Sequence, residues 1–327
     1  MISPFTGGEV KLCQEQRELV FRKEKFIYVA QFYVCVDTQE QFTTTELDEI
    51  NISQVYNQYR TKYGIPFPDE IRAIRELYGL SASKMSEILG LGANQYRLYE
   101  NGEIPSEAIG KTLKSIMSPM VFSTYVHNAE NQFSAQDFAK ICDKLEQAIK
   151  RIEDTPVVRI YNMVKRSSIT GYAPQSQSKI KNILLYFIDK LGGVFTTKMN
   201  KLLFYADFCS YKRRGVGMTG LSYKAIQYGP VPEKWNVVYG SIEDIDFEIV
   251  SFASGDSGEK LTSKMAPDLT AFSPEELTIL DEIIYKFGNK TANQLSELSH
   301  KEDAWIKFKD TSRYINYTEA FTLSLDQ

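Results

Sequence analysis

The chain has 327 residues, a length that fits about two or three domains better than a single core. With 43% apolar and 24% charged residues it has a globular composition, which excludes wholesale disorder. Its 38 basic and 42 acidic side chains leave a net charge of −4, which excludes a polybasic coat for nucleic acid or membrane but leaves room for one small DNA-reading head.

The first residues, Met-Ile-Ser-Pro-Phe-Thr, lack a basic segment followed by an apolar one, so no secretory signal is expected. The most apolar stretch, Phe26 to Val36, is interrupted by Gln31 and is far shorter than a membrane span. The four cysteines, Cys13, Cys35, Cys142 and Cys209, are far apart and read as reduced thiols. A soluble, cytoplasmic protein with no membrane partner is expected. Only two histidines, His127 and His300, are present, which weakens any case for metal or acid–base chemistry.

Along the chain, residues 9–44 are rich in Val, Phe, Ile and Tyr, and Phe26, Tyr28 and Ala30 alternate with Ile27, Val29 and Gln31. A small antiparallel sheet is expected there, followed by a helix from about Thr45 to Tyr63. Gly64-Ile65-Pro66-Phe67-Pro68 breaks the pattern. Residues 69–117 then read as four short helices. Ile71, Ile74, Leu77 and Tyr78 form the stripe of the first, and Ser81 caps a second carrying Met85, Ile88 and Leu89. Ala93 to Glu100 form the third, and Ser106 caps a fourth with Ile109, Leu113 and Ile116.

Ser, Gly, Pro and Gln dominate Lys165 to Ser178, the best candidate for a linker. Beyond it, Thr196 or Thr197 is placed to cap a helix with Met199, Leu202, Leu203, Ala206 and Cys209 on one face and Asp207 beside them. Lys212, Arg213 and Arg214 end that helix favourably for its dipole. Tyr228-Gly229-Pro230-Val231-Pro232-Glu233 reads as a sharp loop feeding a helix. A strand pair is expected near Asp246–Phe252 and Glu259–Ser263, joined through Ser254-Gly255-Asp256. The fold class that results is α+β, predominantly helical with two small sheets. The expected domains are 1–66 (β domain and connecting helix), 67–118 (helix-turn-helix), 119–177 (helical connector and linker) and 178–327 (mostly helical).

A helix, a short glycine-containing turn and a second helix that starts with small polar groups is the geometry for placing one helix in the major groove. The start of the third helix offers Asn94, Gln95 and Arg97 for base edges, since amides pair bidentately with adenine and guanidinium with guanine. Ser81, Ser83 and Lys84, at the start of the preceding helix, are placed for phosphates. Tyr96 and Tyr99 are expected to pack the bundle.

Leu98-Tyr99-Glu100-Asn101-Gly102-Glu103-Ile104-Pro105-Ser106 resembles the end of the recognition helix in the Xre/Cro-like family, and Ser86-Glu87-Ile88-Leu89-Gly90 through Asn94 and Tyr99-Glu100 is similar to MqsA-type antitoxins. Ala82 stands where the family often has Gln. In MqsA-type proteins two Cys-x-x-Cys pairs bind zinc ahead of the helix-turn-helix. Here Ser3 and Thr6 stand for the first pair, Cys35 and Thr38 for the second. Hydroxyls are poor substitutes for thiolates, and Cys13 with Cys35 supplies at most two ligands, so a metal-free domain is expected, held by Phe21, Phe26, Tyr28, Phe32 and Tyr33.

Lys201-Leu202-Leu203-Phe204-Tyr205-Ala206-Asp207, then Thr219-Gly220, the Tyr228 to Pro232 loop, Leu298-Ser299-His300 and Ala304-Trp305 resemble the Panacea, or SocA-like, domain across about residues 178–310. That resemblance implies an antitoxin that neutralises a toxin by direct binding. It makes Asp207, Tyr228, Gly229, Pro230, Pro232, His300 and Trp305 domain-defining, and Lys212, Arg213 and Arg214 a possible meeting point with an acidic toxin surface. Asp207 is expected to orient the Tyr-Gly-Pro loop.

The resulting expectation is a non-enzymatic antitoxin without cofactor or metal. Its partners are a cognate toxin protein, operator DNA and a second copy of itself in a homodimer. A transcriptional regulator with a C-terminal sensor or interaction domain, and a proteolytic adaptor for the toxin, remain alternatives. An enzyme using Asp207, Tyr228 and His300 is the weakest of the rivals, because no nucleophile, phosphate loop or metal constellation accompanies them.

Overall fold

In the computed structural model, which describes residues 1–153, 165–252 and 255–324, the chain is α+β, with helices predominating over small antiparallel sheets. Three sheets occur among the described residues, where the sequence led us to expect two. The chain divides into two compact units, one taking Met1–Val55 and Tyr161–Gln327, the other Tyr56–Ile160.

In the first unit, the apolar run after Gly8 forms two long strands, β1 (Val10–Phe21) and β2 (Glu24–Cys35), in register from Val10↔Cys35 to Phe21↔Glu24. Arg22 and Lys23 make the turn with φ of 50° and 68°, the handedness that suits twisted strands. A short β3 (Gln41–Phe42) pairs with the end of β2. The expected alternation holds at Phe26, which is buried, and Ile27, which is 58% exposed. It fails at Ala30, Gln31 and Phe32, all buried.

Helix α1 (Thr45–Tyr63) supplies the reason. The Asn51 amide accepts from Gln31 N at 2.8 Å and donates to Gln31 O at 2.9 Å. The Gln54 amide accepts from Val29 N at 3.0 Å and donates to Val29 O at 2.9 Å. These two side chains satisfy the strand edge beyond the reach of β3. Of the aromatic residues expected in this core, Phe26 and Phe32 are buried, while Phe21, Tyr28 and Tyr33 are half-buried.

The second unit is helical among its described residues: α2 (Pro68–Leu77), α3 (Ala82–Ile88), α4 (Gln95–Glu100), α5 (Glu107–Ser115), α6 (Pro119–Asn128) and α7 (Ala135–Glu153) follow the end of α1. Pro68 sits in the first turn of α2, where its missing N–H costs nothing. Ser81 caps α3 by accepting from Lys84 N, and Ser106 caps α5 by accepting from Ile109 N. The third helix starts at Gln95 rather than Ala93, because Gln95 N donates to Gly92 O at 2.9 Å and holds Ala93 and Asn94 in a turn.

Ile71, Tyr78, Met85, Tyr96 and Leu113 form one core, and Phe122, Ile141 and Leu145 from α6 and α7 enter it as well. The helices of 67–118 thus share their core with part of the 119–177 segment. The middle of that segment, residues 154–164, lies outside the described residues.

The rest of the first unit begins with Lys165–Ser178. Thr170, Tyr172 and Ala173 are buried, Gly171 O accepts from Gly217 N at 2.7 Å, and Ser168 O accepts from Tyr317 N at 2.9 Å. The glycine and serines of this stretch therefore serve a packed turn. Helix α8 (Gln177–Leu191), capped by Ser176, leads to β4 (Val194–Phe195) and α9 (Thr196–Arg214). Thr196 does not cap α9: the chain enters from Phe195, and the Thr196 hydroxyl donates to Glu259 O at 3.2 Å and Oε2 at 2.8 Å instead.

The Tyr228–Pro232 segment, expected as a loop, is half of a hairpin. Strand β5 (Tyr223–Ile226) pairs with β6 (Gly229–Pro232), and Gln227 and Tyr228 form the turn. The two prolines hid this strand. They cannot donate, yet they are tolerated because the sheet has only two strands, both of them edges. The helix expected next, α10 (Trp235–Gly240), starts after Lys234 at φ 53°.

Strands β7 (Asp246–Ser251) and β8 (Ser257–Thr262) form the expected pair, and β4 joins the far edge of β8. Ser254 of the expected turn lies outside the described residues. Helices α11 (Pro274–Phe287), α12 (Ala292–Ser299) and α13 (Asp303–Ile306) and a 3-10 helix (Tyr317–Thr322) complete the unit. No helix among the described residues is long and apolar enough to cross a membrane.

Candidate functional site

Helix α9 is the axis of the C-terminal region. A single buried face was expected, but Leu202, Leu203, Phe204, Tyr205 and Ala206 are all buried, since β6, α11, α12 and the 3-10 helix pack around it. A helix enclosed in this way forces its polar residues to find partners inside the protein. Asp207, fully buried, accepts from Met218 N and Thr219 N at 2.7 Å each, from Tyr223 OH at 2.7 Å, and from the Thr219 hydroxyl. Burial pushes its carboxyl pKa up, against the lowering effect of these donors. Asp207 therefore orients the Met218–Thr219 turn and β5, and not the Tyr228 turn that the sequence reading assigned to it.

The group that holds the Gly229–Pro230 backbone is Lys201, which the sequence offered only as the first residue of the Panacea-like run, with no site role. Its Nζ, with no solvent exposure, donates to Pro230 O at 2.9 Å. Its signal was its place at the head of the apolar run Leu202 to Ala206, six residues before Asp207. Two further buried polar groups follow the same logic: Asn200 Oδ1 accepts from Tyr239 OH at 2.6 Å, and Ser210 donates to Val216 O at 2.8 Å.

Gly229 has φ 99° and lies against Lys201 and Ser299, while Pro230 and Pro232 are buried in β6. Tyr228 at the hairpin turn is 63% exposed and closes nothing. Trp305 Nε1 donates to Ile226 O at 2.8 Å, and the His300 ring stacks on Trp305 with centroids 4.0 Å apart. Burial first, and the Lys201 charge second, hold the His300 imidazole below its ordinary pKa. Tyr228, Ile226 (41% exposed) and Ile306 (48%) are thus exposed apolar residues on two segments, the hairpin and α13, tied by the Trp305–Ile226 bond.

The basic end of α9 is answered within the chain. Lys212 Nζ donates to Leu323 O at 3.1 Å, Arg213 pairs with Glu282, and Arg214 donates to Glu276 at 2.9 Å and Ser210 at 3.1 Å.

In the helical unit, Asn94 and Arg97 are exposed at the start of α4, and Gln95 is half-buried with its amide donating to Glu103 Oε1 at 2.8 Å. Tyr96 and Tyr99 are buried, and Tyr96 OH donates to Ile71 O at 2.8 Å. Two arginines fix the end of α4: Arg60 donates to Gly102 O at 2.6 Å, and Arg75 to the buried Glu100 carboxylate at 2.6 Å. On α3, Ser83 is exposed and Ser81 is the cap. Lys84 pairs with Glu87 at 2.9 Å and lies 4.6 Å from the centroid of the Phe133 ring. Asn94, in the turn just before α4, and Arg97, on α4, are thus exposed beside a helix held at its far end.

The four positions compared with zinc ligands do come together. Thr6 Oγ1 lies 3.6 Å from the buried Cys35 Sγ, and the hydroxyls of Ser3 and Thr38, ahead of other contacts, lower the Cys35 thiol to about 6. One thiol among hydroxyls is not a zinc donor set. No group of three or more His, Cys, Asp or Glu side chains among the described residues is placed to hold a metal ion.

Lys201 and Cys35 together give a pH prediction. Burial lowers Lys201 to about 7, well below the unfolded value of roughly 10.4, so above pH 7 the unfolded chain binds the extra proton and the folded state gains stability as pH rises. Cys35 works in the same direction from about 6 up to its ordinary value of 9.0. The urea midpoint should therefore rise between pH 6 and 9, and Lys201→Met should flatten the upper half of that rise. A wild-type midpoint that is level or falling over this window would refute the assignment.

Residues 199–306, from the first turn of α9 to the end of α13, match the family model described as antitoxin SocA-like, Panacea domain. Over that stretch the chain is similar to a class of antitoxin domains. No curated protein and no solved structure matches the chain.

Proposed function

We propose that the chain is an antitoxin whose C-terminal region holds a cognate toxin protein and whose helix-turn-helix binds operator DNA as a homodimer. The observation that carries this reading is the Panacea match over residues 199–306, which contains Asp207, Thr219, Gly229, His300 and Trp305. The mechanism is binding rather than chemistry. In support, Asp207 is saturated by donors from its own fold, and the His300 ring is stacked on Trp305. Ile226, Tyr228 and Ile306 are the exposed residues best placed to meet a toxin. Lys212, Arg213 and Arg214 are poorer candidates, because each already has an internal partner. Co-expression with the adjacent open reading frame should rescue growth and give a complex on pull-down; a neighbour that is harmless on its own, or never co-purifies, overturns the reading.

The DNA half has a separate test. Paired half-sites need two reading heads, which is the reason to expect a dimer. Asn94→Ala or Arg97→Ala should each cost roughly 1–3 kcal/mol of specific operator binding. Lys84→Ala should weaken binding to all sequences more evenly and reduce the salt dependence, though less than a lysine free of Glu87 would. Footprinting with no protected operator, or unchanged affinity in both α4 variants, would remove α4 from the reading role.

A further inference from the structure

A pocket of about 500 Å³ opens where α9, α11 and α12 meet the last described residues. Tyr205 and Phe287, stacked with centroids 4.4 Å apart, give it an apolar wall together with Leu298. Its rim carries Lys286 from the end of α11, Lys290 from the following turn, and Lys301 from just beyond α12. The ammonium groups of Lys290 and Lys301 have no hydrogen bond or ion pair among the described residues. The single carboxylate lining the pocket, Glu302, is 5% exposed and committed elsewhere: Oε1 accepts from Tyr205 OH at 3.3 Å and Oε2 from Ser324 N at 3.1 Å. It does not neutralise the lysines by pairing with them.

Lys290 and Lys301, two cations from separate elements, with the already partnered Lys286 beside them, focus a positive potential around one concavity. Lysines bind phosphate as point charges, and a compact dianion satisfies several at once. A bare phosphate would leave most of this volume empty, since pockets of roughly 300–1,000 Å³ suit whole small molecules. Half-buried Leu298 and the small exposed parts of Tyr205 and Phe287 supply apolar surface for the remainder. We propose that this pocket binds a phosphomonoester with a planar, partly apolar body, of the size of a nucleoside monophosphate. The proposal does not depend on the antitoxin reading, because none of its residues is among Ile226, Tyr228 and Ile306 or within 67–118.

The test is calorimetric titration of the full-length protein at low salt with AMP, GMP and UMP, and separately with adenosine and with inorganic phosphate. At least one monophosphate should bind saturably and roughly tenfold or more tighter than adenosine or phosphate alone. Lys290→Gln combined with Lys301→Gln should weaken it at least roughly tenfold. Lys309→Gln, whose ammonium lies 5.0 Å from the centroid of the Trp305 ring, should leave it unchanged. The lysines replaced are half-buried or exposed, so the variants should keep the parent's melting temperature. The proposal is overturned if none of the three monophosphates saturates at millimolar concentration, or if phosphate alone binds as well. Unchanged affinity in the double variant overturns it too, as does a titration satisfied only by an acidic peptide.

Discussion

Asp207→Ala should lower the unfolding free energy by about 3–5 kcal/mol, because it orphans the buried N–H groups of Met218 and Thr219 at about 1–3 kcal/mol each. The Thr219 hydroxyl and Tyr223 OH lose their acceptor as well, and neither can reach water. Asp207→Asn is the informative control. Its carbonyl can still receive both backbone donors, and its amide can donate to the two hydroxyls once they rotate. A small loss in Asn with a large loss in Ala, read by urea denaturation, identifies a hydrogen-bonding anchor. Equal and minor losses in both would show that the 218–223 turn holds itself. If the toxin-binding reading is right, growth rescue should follow stability across this pair.

Gly229→Ala is the second large effect. A methyl group there would stand 2.3 Å from Ser299 Oγ and 2.8 and 2.9 Å from Lys201 Cε and Nζ. Neither neighbour has room to retreat, since Ser299 and Lys201 are both without solvent exposure. To this clash is added the left-handed backbone at φ 99°, which costs a residue with a Cβ roughly 1–2 kcal/mol. Overpacking of a filled interior adds about 1–3 kcal/mol. The sum is large enough to drive the hairpin off α9, so thermal unfolding should shift downward by many degrees. Gly255→Ala, in open space at φ 90°, isolates the backbone contribution and should cost much less. Equal melting temperatures for the two variants would mean that the packing around Gly229 yields easily.

What the sequence made legible was local. The α1 boundaries, the caps at Ser81 and Ser106, and the buried Tyr96 and Tyr99 all follow from short-range rules on capping and helical spacing. The failures share one cause, which is that distant parts of the chain supply partners that no local pattern encodes. Thr196 is a good cap by position, yet Glu259 takes its hydroxyl. Pro230 and Pro232 argue against a strand until β6 is seen to be an edge. Lys201 looks like a surface residue until α9 is seen to be enclosed on every side. Of the site residues, Asp207 stood out through the Panacea-like motif and its place beside an apolar stripe, but its partners at 218, 219 and 223 lie across a turn that the pattern could not place.

The amides of Asn51 and Gln54 do more than satisfy Val29 and Gln31. They are three positions apart on a helix, about 4.5 Å along its axis, while their partners are two apart on a strand, about 6.6 Å. The longer reach of Gln54 bridges the mismatch. Sliding α1 along β2 by one residue in either direction would break all four bonds at once, so the helix and hairpin are ratcheted together rather than merely packed. The same amides occupy the positions that an incoming strand would need, which closes this side of the sheet to strand exchange. Among the described residues, the outer edge of β1 is the long edge of that sheet with no paired strand, and Lys11, Glu15, Arg17 and Glu18 stud it with charge.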